Sequence, residues 1–254
     1  MSTTVISPTP IPGLHVMPTE SQMEKSIQAY NALPDDGDQR QVSEAHLQEI
    51  LQLILANGVE KKFGVHLIHG HMQVGKGEVM FGKALNNPHV HGIWTRPTNI
   101  RELDLNDIHG HIFALNPSGH FMAYEYREGP PPPMNPNDDA FVVQFKAFLQ
   151  DHSLADLLGL QVLAGHGAKK MQEFDLSGSG PEGVVMLDAE DTDIDEVYRV
   201  TGWSAETAEP GGSELKGNDV HAALKNGNHK IFQDSKLMDE NDLIDLLKRQ
   251  GILN

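Results

Sequence analysis

Cysteine is absent from all 254 residues of the chain. Its absence excludes disulfide bonds, thiolate metal ligands and cysteine nucleophiles at once. Residues 1–22 also lack a basic segment followed by a continuous apolar core, which is the pattern of a secretory signal. We therefore expect an intracellular protein with a cytoplasmic location.

Long apolar runs and clustered basic residues are missing as well. No run approaches the roughly 18–20 apolar residues that a membrane-spanning helix needs. The 19 Lys and Arg residues are outnumbered by 36 Asp and Glu, which gives a formal net charge of -17. Since nucleic acids and anionic membranes attract clustered positive charge, we expect neither as a partner. A small-molecule substrate is the expected partner, and the net charge is assigned to solubility.

Several catalytic signatures are also missing. The chain has no phosphate-binding loop, no Gly-x-Ser-x-Gly elbow and no Gly-x-Gly-x-x-Gly following a strand. Gly70, Gly75 and Gly77 are assigned to turns and close packing instead. Phosphoryl transfer and serine hydrolysis are therefore not expected.

The order of apolar patterns predicts an α+β fold. Helical periodicity marks segments that begin near Thr19, Ser43, Asn137 and Ser235, and alternating patterns between them indicate antiparallel strands. Residues 63–71 align without gaps on residues 158–166, and an amphipathic helix precedes both segments. We therefore predict two related helix-plus-antiparallel-sheet halves, which form one continuous sheet or a barrel-like core.

This duplication divides the chain into five parts. The predicted parts are an N-terminal arm with a short helix at 1–42, a first half with a His-rich site at 43–128, a Pro-rich connector at 129–136, a second half at 137–205, and a loop with a C-terminal helix at 206–254. Residues 108–111 have a possible counterpart in residues 200–203. The His pairs fall in the first half only, which favours one working site and one structural copy.

Histidine is the residue that carries the functional signal. The chain has 14 histidines, and six of them form three His-x-His pairs between residues 69 and 111: His69/His71, His89/His91 and His109/His111. Alternate residues of a strand face the same side, so both imidazoles of a pair point together. If the first and third pairs meet across a sheet or barrel, their four imidazoles form a site for a divalent transition metal, namely Zn²⁺, Fe²⁺, Cu²⁺ or Ni²⁺.

A predicted hairpin supplies the candidate proton carriers. A four-residue turn at 116–119 would place Leu115 opposite His120 and His111 opposite Tyr124. One face of the hairpin would then carry His109, His111, His120, Tyr124 and Tyr126. Tyr124 and His120 are the predicted catalytic residues, since both could move a proton at the metal site.

The remaining histidines receive weaker interpretations. Isolated strand histidines are more often core or surface residues than ligands, so His66 and His166 are assigned structural roles. His89 and His91 would line the mouth of a pocket. The second ring nitrogen of each ligand needs a hydrogen-bond acceptor, and Glu78, Glu125 or backbone carbonyls are the candidates.

Two resemblances accompany these residues. His69-Gly70-His71 followed by Glu78 is similar to the metal motif of cupins, although the spacing is longer and the helix-first layout differs. Residues 63–81, with 123–126 and 200–203, resemble a group of uncharacterised, mainly fungal proteins that have a His-x-His strand after a helix. The second resemblance implies a shared fold and a shared His-x-His strand, and no activity.

The sequence thus favours a metal-dependent enzyme, an oxidoreductase or lyase, that acts on a small organic molecule in a His-lined pocket. One alternative is a metal-independent acid–base isomerase, dehydratase or cyclase that uses the same His and Tyr residues. The other is a non-catalytic module that binds a metal or a ligand. The oligomeric state is left open.

Overall fold

The helices form where the apolar periodicity predicts them, and each begins at a side-chain cap. The computed structural model describes residues 9–163, 169–178, 181–208, 212–225, 227–233, 237 and 239–253, and in these ranges the α-helices are α1 Glu20–Asn31, α2 Glu44–Asn57, α3 Pro136–Asp151 and α4 Glu240–Arg249. Thr19, Ser43 and Asn135 accept backbone N–H groups at the first turns of α1, α2 and α3. The cap of α3 therefore lies two residues before the predicted cap, Asn137. Helix α4 begins after its cap Asp239, and its predicted start near Ser235 lies outside the described residues. No helix in the described ranges has the length and apolarity to cross a bilayer.

Eleven strands lie in the described ranges. They are β1 Phe63–Leu67, β2 Glu78–Ala84, β3 Gly92–Asn99, β4 Ile108–Leu115, β5 Phe121–Glu128, β6 Leu158–Val162, β7 Met171–Gly178, β8 Pro181–Asp188, β9 Val197–Ala208, β10 Gly212–Ala222 and β11 Lys230–Gln233. The first ten close into a barrel in the order β1–β6–β4–β5–β2–β3–β8–β7–β10–β9, and β11 pairs with the far part of β7. The predicted α+β content is confirmed, and the barrel is the dominant feature.

The barrel has an apolar outside beneath the helices and a polar inside. On β1, Phe63, Val65 and Leu67 belong to the core that packs against α2 and α3. Because alternate strand residues face opposite sides, His66 points inward. The same alternation turns four more buried polar side chains inward from β6, β7 and β10, namely those of Gln161, Glu173, Asp219 and His221. The interior of the barrel is therefore suited to a polar site.

The outer core should carry much of the stability. Phe63 is fully buried and stacks on Phe141 with ring centroids 5.5 Å apart. We expect Phe63→Ala to lower the free energy of unfolding by about 3–5 kcal/mol in urea titrations. Phe232→Ala is the control because Phe232 on β11 is 66% exposed, and an equal loss in both variants would contradict the assignment.

Residues 205–228 are Gly-rich and polar and predict the loop that opens the last part of the chain, but this prediction is wrong over most of their length. Strand β9 runs to Ala208 and β10 spans Gly212–Ala222, so the two form a long antiparallel hairpin. Lys216 Nζ lies 2.8 Å from Glu206 Oε2 across the strands. Ala205 and Leu215 face the outer core, but the polar residues and glycines around them obscure this alternation in the sequence, which explains the missed strands.

The predicted register of the β4–β5 hairpin is wrong by one residue. Leu115 pairs with Phe121 and not with His120, because Asn116 Oδ1 accepts from the backbone N–H groups of Ser118 and His120 and closes a five-residue loop. The register shifts again at two bulges, where His111 on β4 and Tyr124 on β5 are the extra residues. The pairing of His111 with Tyr124 is therefore not formed.

Candidate metal centre

His69 and His71 lie just beyond the end of β1, with ring centroids 4.7 Å apart. The Nδ1 of His69 is 2.8 Å from the carbonyl oxygen of Leu67. That contact requires an N–H at Nδ1 and leaves a lone pair on Nε2. Nε2 is buried without a hydrogen-bond partner among the described residues. His69 is thus a neutral imidazole with its ligating nitrogen free.

A carboxylate and a third imidazole come from the second part of the barrel. Parallel pairing of β7 and β10 puts Glu173 next to His221, and both side chains are buried on the inner face. Glu173 Oε1 lies 2.8 Å from Nε2 of His71, and Glu173 Oε2 lies 3.4 Å from Nε2 of His221. The carboxylate therefore joins the His-x-His segment to β10.

Four ligand atoms converge at this point. One atom each from His69, His71, Glu173 and His221 lies within 4.8 Å of the other three. Three imidazole nitrogens and one carboxylate oxygen form a donor set that suits Zn²⁺, Fe²⁺ and related divalent metals. The residues present therefore fit the metal that the sequence predicts.

Asp36 and His229 form an outer layer behind His221. Asp36, in a 3-10 turn, accepts a hydrogen bond from Nδ1 of His221 at 3.1 Å. The His229 ring stacks on His221 with centroids 4.4 Å apart, and its Nε2 is 3.7 Å from Asp36 Oδ1. A carboxylate behind a ligating imidazole fixes its tautomer and raises its basicity. Asp36, His221 and His229 also form a second convergent group of potential metal ligands.

Burial and mutual charge set the protonation states of the cluster. Burial, together with His71 and His221, holds the pKa of His69 well below its usual value. Burial also opposes protonation of the other two imidazoles, but the Glu173 carboxylate outweighs it, raising the pKa of His71 and bringing that of His221 to about 9. Burial likewise opposes ionisation of Glu173, and the two imidazoles outweigh it and hold the pKa of Glu173 well below its usual value.

Glu125 is a second inward carboxyl whose burial predicts a pH dependence. Burial, reinforced by Glu173, raises the pKa of Glu125 from 4.5 to about 7. Between pH 4.5 and 7 the unfolded chain loses this proton before the folded chain does, so folding loses stability as the pH rises. Relative to wild type, Glu125→Gln should therefore gain roughly 1–3 kcal/mol of unfolding free energy across that window. Urea titrations at a series of pH values test this, with Glu128→Gln on the same strand as the control, and a constant difference would contradict it.

The other predicted ligand pair lies elsewhere in the fold. His109 Nδ1 is 2.9 Å from the carbonyl oxygen of Gly129, and His111 Nδ1 is 3.0 Å from that of Val162. Among the described residues, neither histidine belongs to a convergent group of ligand atoms. The structure thus brings together His69 and His71 with Glu173 and His221, and not with His109 and His111.

The predicted proton carriers occupy contrasting positions. His120 is an exposed residue of the 116–120 loop, which separates it from the buried cluster. Tyr124 is buried, and its hydroxyl has no hydrogen-bond partner in the part of the chain that the structure describes. Its ring lies 6.2 Å from that of Tyr30, whose hydroxyl accepts from the backbone N–H of His71. Tyr124 therefore stays a candidate, whereas the position of His120 gives that residue no access to the cluster.

The weaker assignments fall into three groups. Glu78 accepts from the backbone N–H of Gly75 in its own turn, so it does not orient a ligand. His66 stacks on His69 with centroids 5.3 Å apart, and His91 lines a cavity at one end of the barrel. His166 lies outside the described residues.

Sequence reasoning missed Glu173, His221, Asp36 and His229. A signal existed for the first two, because Gln172-Glu173-Phe174-Asp175 and Asp219-Val220-His221-Ala222 alternate as strands with a polar inner face do. The other two residues lie in turns and carry no comparable pattern. Comparison with known proteins adds nothing to this picture, since the chain matches no family model, no curated protein and no solved structure.

Proposed function

We propose that the protein binds one divalent transition-metal ion through His69, His71, Glu173 and His221 and is a metal-dependent enzyme for a small organic molecule. The observation that carries the proposal is the convergence of four buried ligand atoms within 4.8 Å. Oriented imidazoles support it, because Leu67 and Asp36 accept from the far nitrogens of two of them. Zn²⁺, Fe²⁺, Cu²⁺ and Ni²⁺ are the candidate ions.

The surroundings of the cluster favour catalysis over a purely structural ion. When bound, the ion supplies Lewis-acid polarisation of a carbonyl or hydroxyl group, or activation of oxygen. The chain itself supplies buried ligand side chains and a buried Tyr124 hydroxyl that has no hydrogen-bond partner among the described residues and could give or take a proton. Glu173 holds His71 and His221 in place through both of its oxygens. A bound ion, buried ligands and a nearby hydroxyl are the groups that an oxidoreductase or a lyase would use.

One observation favours the metal-independent alternative. His71, Glu173, His221 and Asp36 form a continuous series of ion pairs that is balanced without a metal. Such a series could hold and move protons in an isomerase, dehydratase or cyclase. A non-catalytic metal- or ligand-binding module is the third candidate, and it would use the same ligands without turnover.

Elemental analysis of protein purified without an affinity tag tests the proposal. We expect close to one equivalent of a transition metal, and loss of most of it in His71→Ala. His109→Ala is the matched control, since His109 is also half of a His-x-His pair but bonds to a backbone carbonyl. Folded wild-type protein that neither contains nor takes up metal would reject the proposal in favour of acid–base chemistry.

Removing the carboxylate behind His221 should weaken metal binding without removing a ligand. In Asp36→Ala we expect metal affinity to fall by roughly 10–100-fold, the usual cost of losing such an outer-layer partner. Competition with a chromophoric chelator measures the affinity. Asp38→Ala, in the same turn but exposed, is the control, and equal affinities in the two variants would argue against the role of Asp36.

We also propose that β1–β5 and β6–β10 are copies of one unit, so that the two halves predicted from the sequence share one barrel. The pairing of β1 with β6 supports this, because Val65 lies opposite Leu160, its partner in the sequence alignment. The parallel pair β2–β5 likewise corresponds to the parallel pair β7–β10. In an experimental structure the halves should superpose by a rotation close to 180°, and a matched strand running in the opposite direction would refute the duplication.

The registers change one detail of the sequence alignment between the halves. Strand β9 pairs Trp203 with Val65 on β1, and β4 pairs Phe113 with Leu160 on β6. Phe113, and not His111, is therefore the residue of the first half that corresponds to Trp203. The shift of two residues keeps each side chain on the same face.

A further inference from the structure

We propose that a cavity at one end of the barrel binds a small, largely apolar organic acid, with Arg127 holding its carboxylate, and that this acid is the substrate of the metal centre. The second part of the proposal depends on the function proposed above. The first part, the binding of an organic anion, stands on the cavity and on Arg127 alone.

The cavity has the size and lining of a small-molecule site. Its volume is about 690 Å³, inside the range of roughly 300–1,000 Å³ that is typical of ligand pockets. The ends of β2, β3, β5, β7 and β8 surround it. Its apolar lining includes Ala84, Leu85, Ile93 and Met171. An aliphatic or aromatic body would be desolvated there.

Arg127 supplies a buried cation that forms no direct ion pair among the described residues, although Asp219, Glu125 and Glu173 act on its charge from a longer distance and partly offset the lowering of its pKa by burial. Its Nε is buried without a hydrogen-bond partner among the described residues, and its Nη2 contacts only the weak acceptor Sδ of Met186, at 3.7 Å. Within the described ranges, no carboxylate oxygen lies within 4.0 Å of its guanidinium. Burial lowers the pKa of Arg127 to about 10, so the group stays cationic at neutral pH. A guanidinium in this state is suited to a carboxylate, which accepts two parallel N–H bonds.

Three acidic residues, Asp107, Glu128 and Asp188, line the cavity, and the last two pair with lysines. Asp188 Oδ2 is 2.7 Å from Lys169 Nζ, and Glu128 Oε1 is 3.7 Å from Lys83 Nζ. Asp219 accepts a hydrogen bond from the Gln161 side chain. These contacts leave the charge of Arg127 available to a ligand.

None of the four proposed ligands lines the cavity, but one lining residue lies two positions from a ligand on the inner face of the barrel. Met171 in its lining precedes Glu173 by two residues on β7, so both side chains face inward. Gly82 pairs with Arg127 on the parallel strands β2 and β5, just as Glu173 pairs with His221 on β7 and β10. A Cβ atom at Gly82 would lie 2.8 Å from Thr95 Oγ1 and 3.4 Å from Arg127 Cγ. The absence of a side chain at Gly82 therefore lets Thr95 and Arg127 pack closely against β2.

Octanoate and octan-1-ol form a matched pair of probes, because they share a chain length and differ in charge. In calorimetric titrations we expect wild type to bind octanoate at least 10-fold more tightly than octan-1-ol. Arg127→Met should weaken octanoate roughly 10–100-fold and leave octan-1-ol unchanged. Ala84→Trp, at the exposed rim, should block both probes. Equal binding of the two probes by wild type, or unchanged octanoate binding in Arg127→Met, would overturn the anion site.

A second measurement separates this proposal from that of the metal. Octanoate binding should persist in His69→Gln, which removes a metal ligand but leaves the cavity lining intact. In protein loaded with paramagnetic Co²⁺, the proton resonances of octanoate should broaden far more than in protein loaded with Zn²⁺. Equal line widths would break the link between cavity and metal centre, and failure to load either ion would reject the metal while the titrations still decide the anion site.

Discussion

Glu173→Gln should abolish stoichiometric metal binding. Glu173 is the one anionic member of the four-ligand cluster, and its two oxygens face His71 and His221. Loss of an outer-layer partner costs roughly 10–100-fold in metal affinity, so loss of this ligand should cost more, on the order of 10³-fold. Elemental analysis after dialysis, followed by titration with Zn²⁺ against a chelator, measures the change.

Two further variants make that result interpretable. Glu173→Gln also breaks buried ion pairs, and this lowers stability. His69→Gln changes a ligand without breaking an ion pair, because Nε2 of His69 has no partner among the described residues. It should lose metal and keep a wild-type melting temperature in the presence of chelator. Glu125→Gln removes another buried carboxyl and should retain metal. A full equivalent of metal in Glu173→Gln would show that the cluster is not the metal site.

Tyr124→Phe should remove most of the turnover and leave the metal in place. The substitution deletes only a hydroxyl, and a positioned acid–base group contributes roughly 10²–10⁴-fold to rate. The hydroxyl is buried without a hydrogen-bond partner among the described residues, so its loss should not lower stability. The kcat for an organic acid that the metal-loaded protein consumes is the quantity to compare.

Tyr126→Phe is the matched control for that experiment. The Tyr126 hydroxyl donates to Ser26 Oγ at 3.2 Å, in the core beneath the helices and away from the metal ligands. We expect a small loss of stability in this variant and little change in kcat. Equal kcat values for Tyr124→Phe and wild type would leave Tyr124 a packing residue.

The local parts of the fold could be predicted from the sequence. Thr19 and Ser43 mark the starts of α1 and α2, and the apolar run after residue 62 marks β1, because caps and periodicity act over a few residues. The sequence predicted one continuous sheet or a barrel-like core and did not decide between them; the structure has a closed barrel. The long β9–β10 hairpin could not be predicted, since polar residues and glycines obscure the apolar alternation of its two strands.

Only two of the four ligands of the candidate site could be predicted from the sequence. His69 and His71 are neighbours in the chain, so their convergence is a local property. Glu173 and His221 meet them through the parallel pairing of β7 with β10, and no local pattern specifies which strands of a barrel become neighbours. The β4–β5 hairpin shows a second limit, because the side chain of Asn116 and two bulges reset a register that turn length alone misplaces.

The β7–β10 pairing has a consequence for how the protein is made. The contact between these strands completes the barrel, and it joins Glu173 to a histidine near the end of the chain. During synthesis the His-x-His segment leaves the ribosome long before residue 221 does. Until residue 221 has emerged, a nascent chain presents the imidazoles of His69 and His71 without the closed barrel around them. Binding of the proposed metal would therefore require residue 221 to have left the ribosome. A chain truncated ahead of β10 would lack both the strand that closes the barrel and the proposed ligand His221.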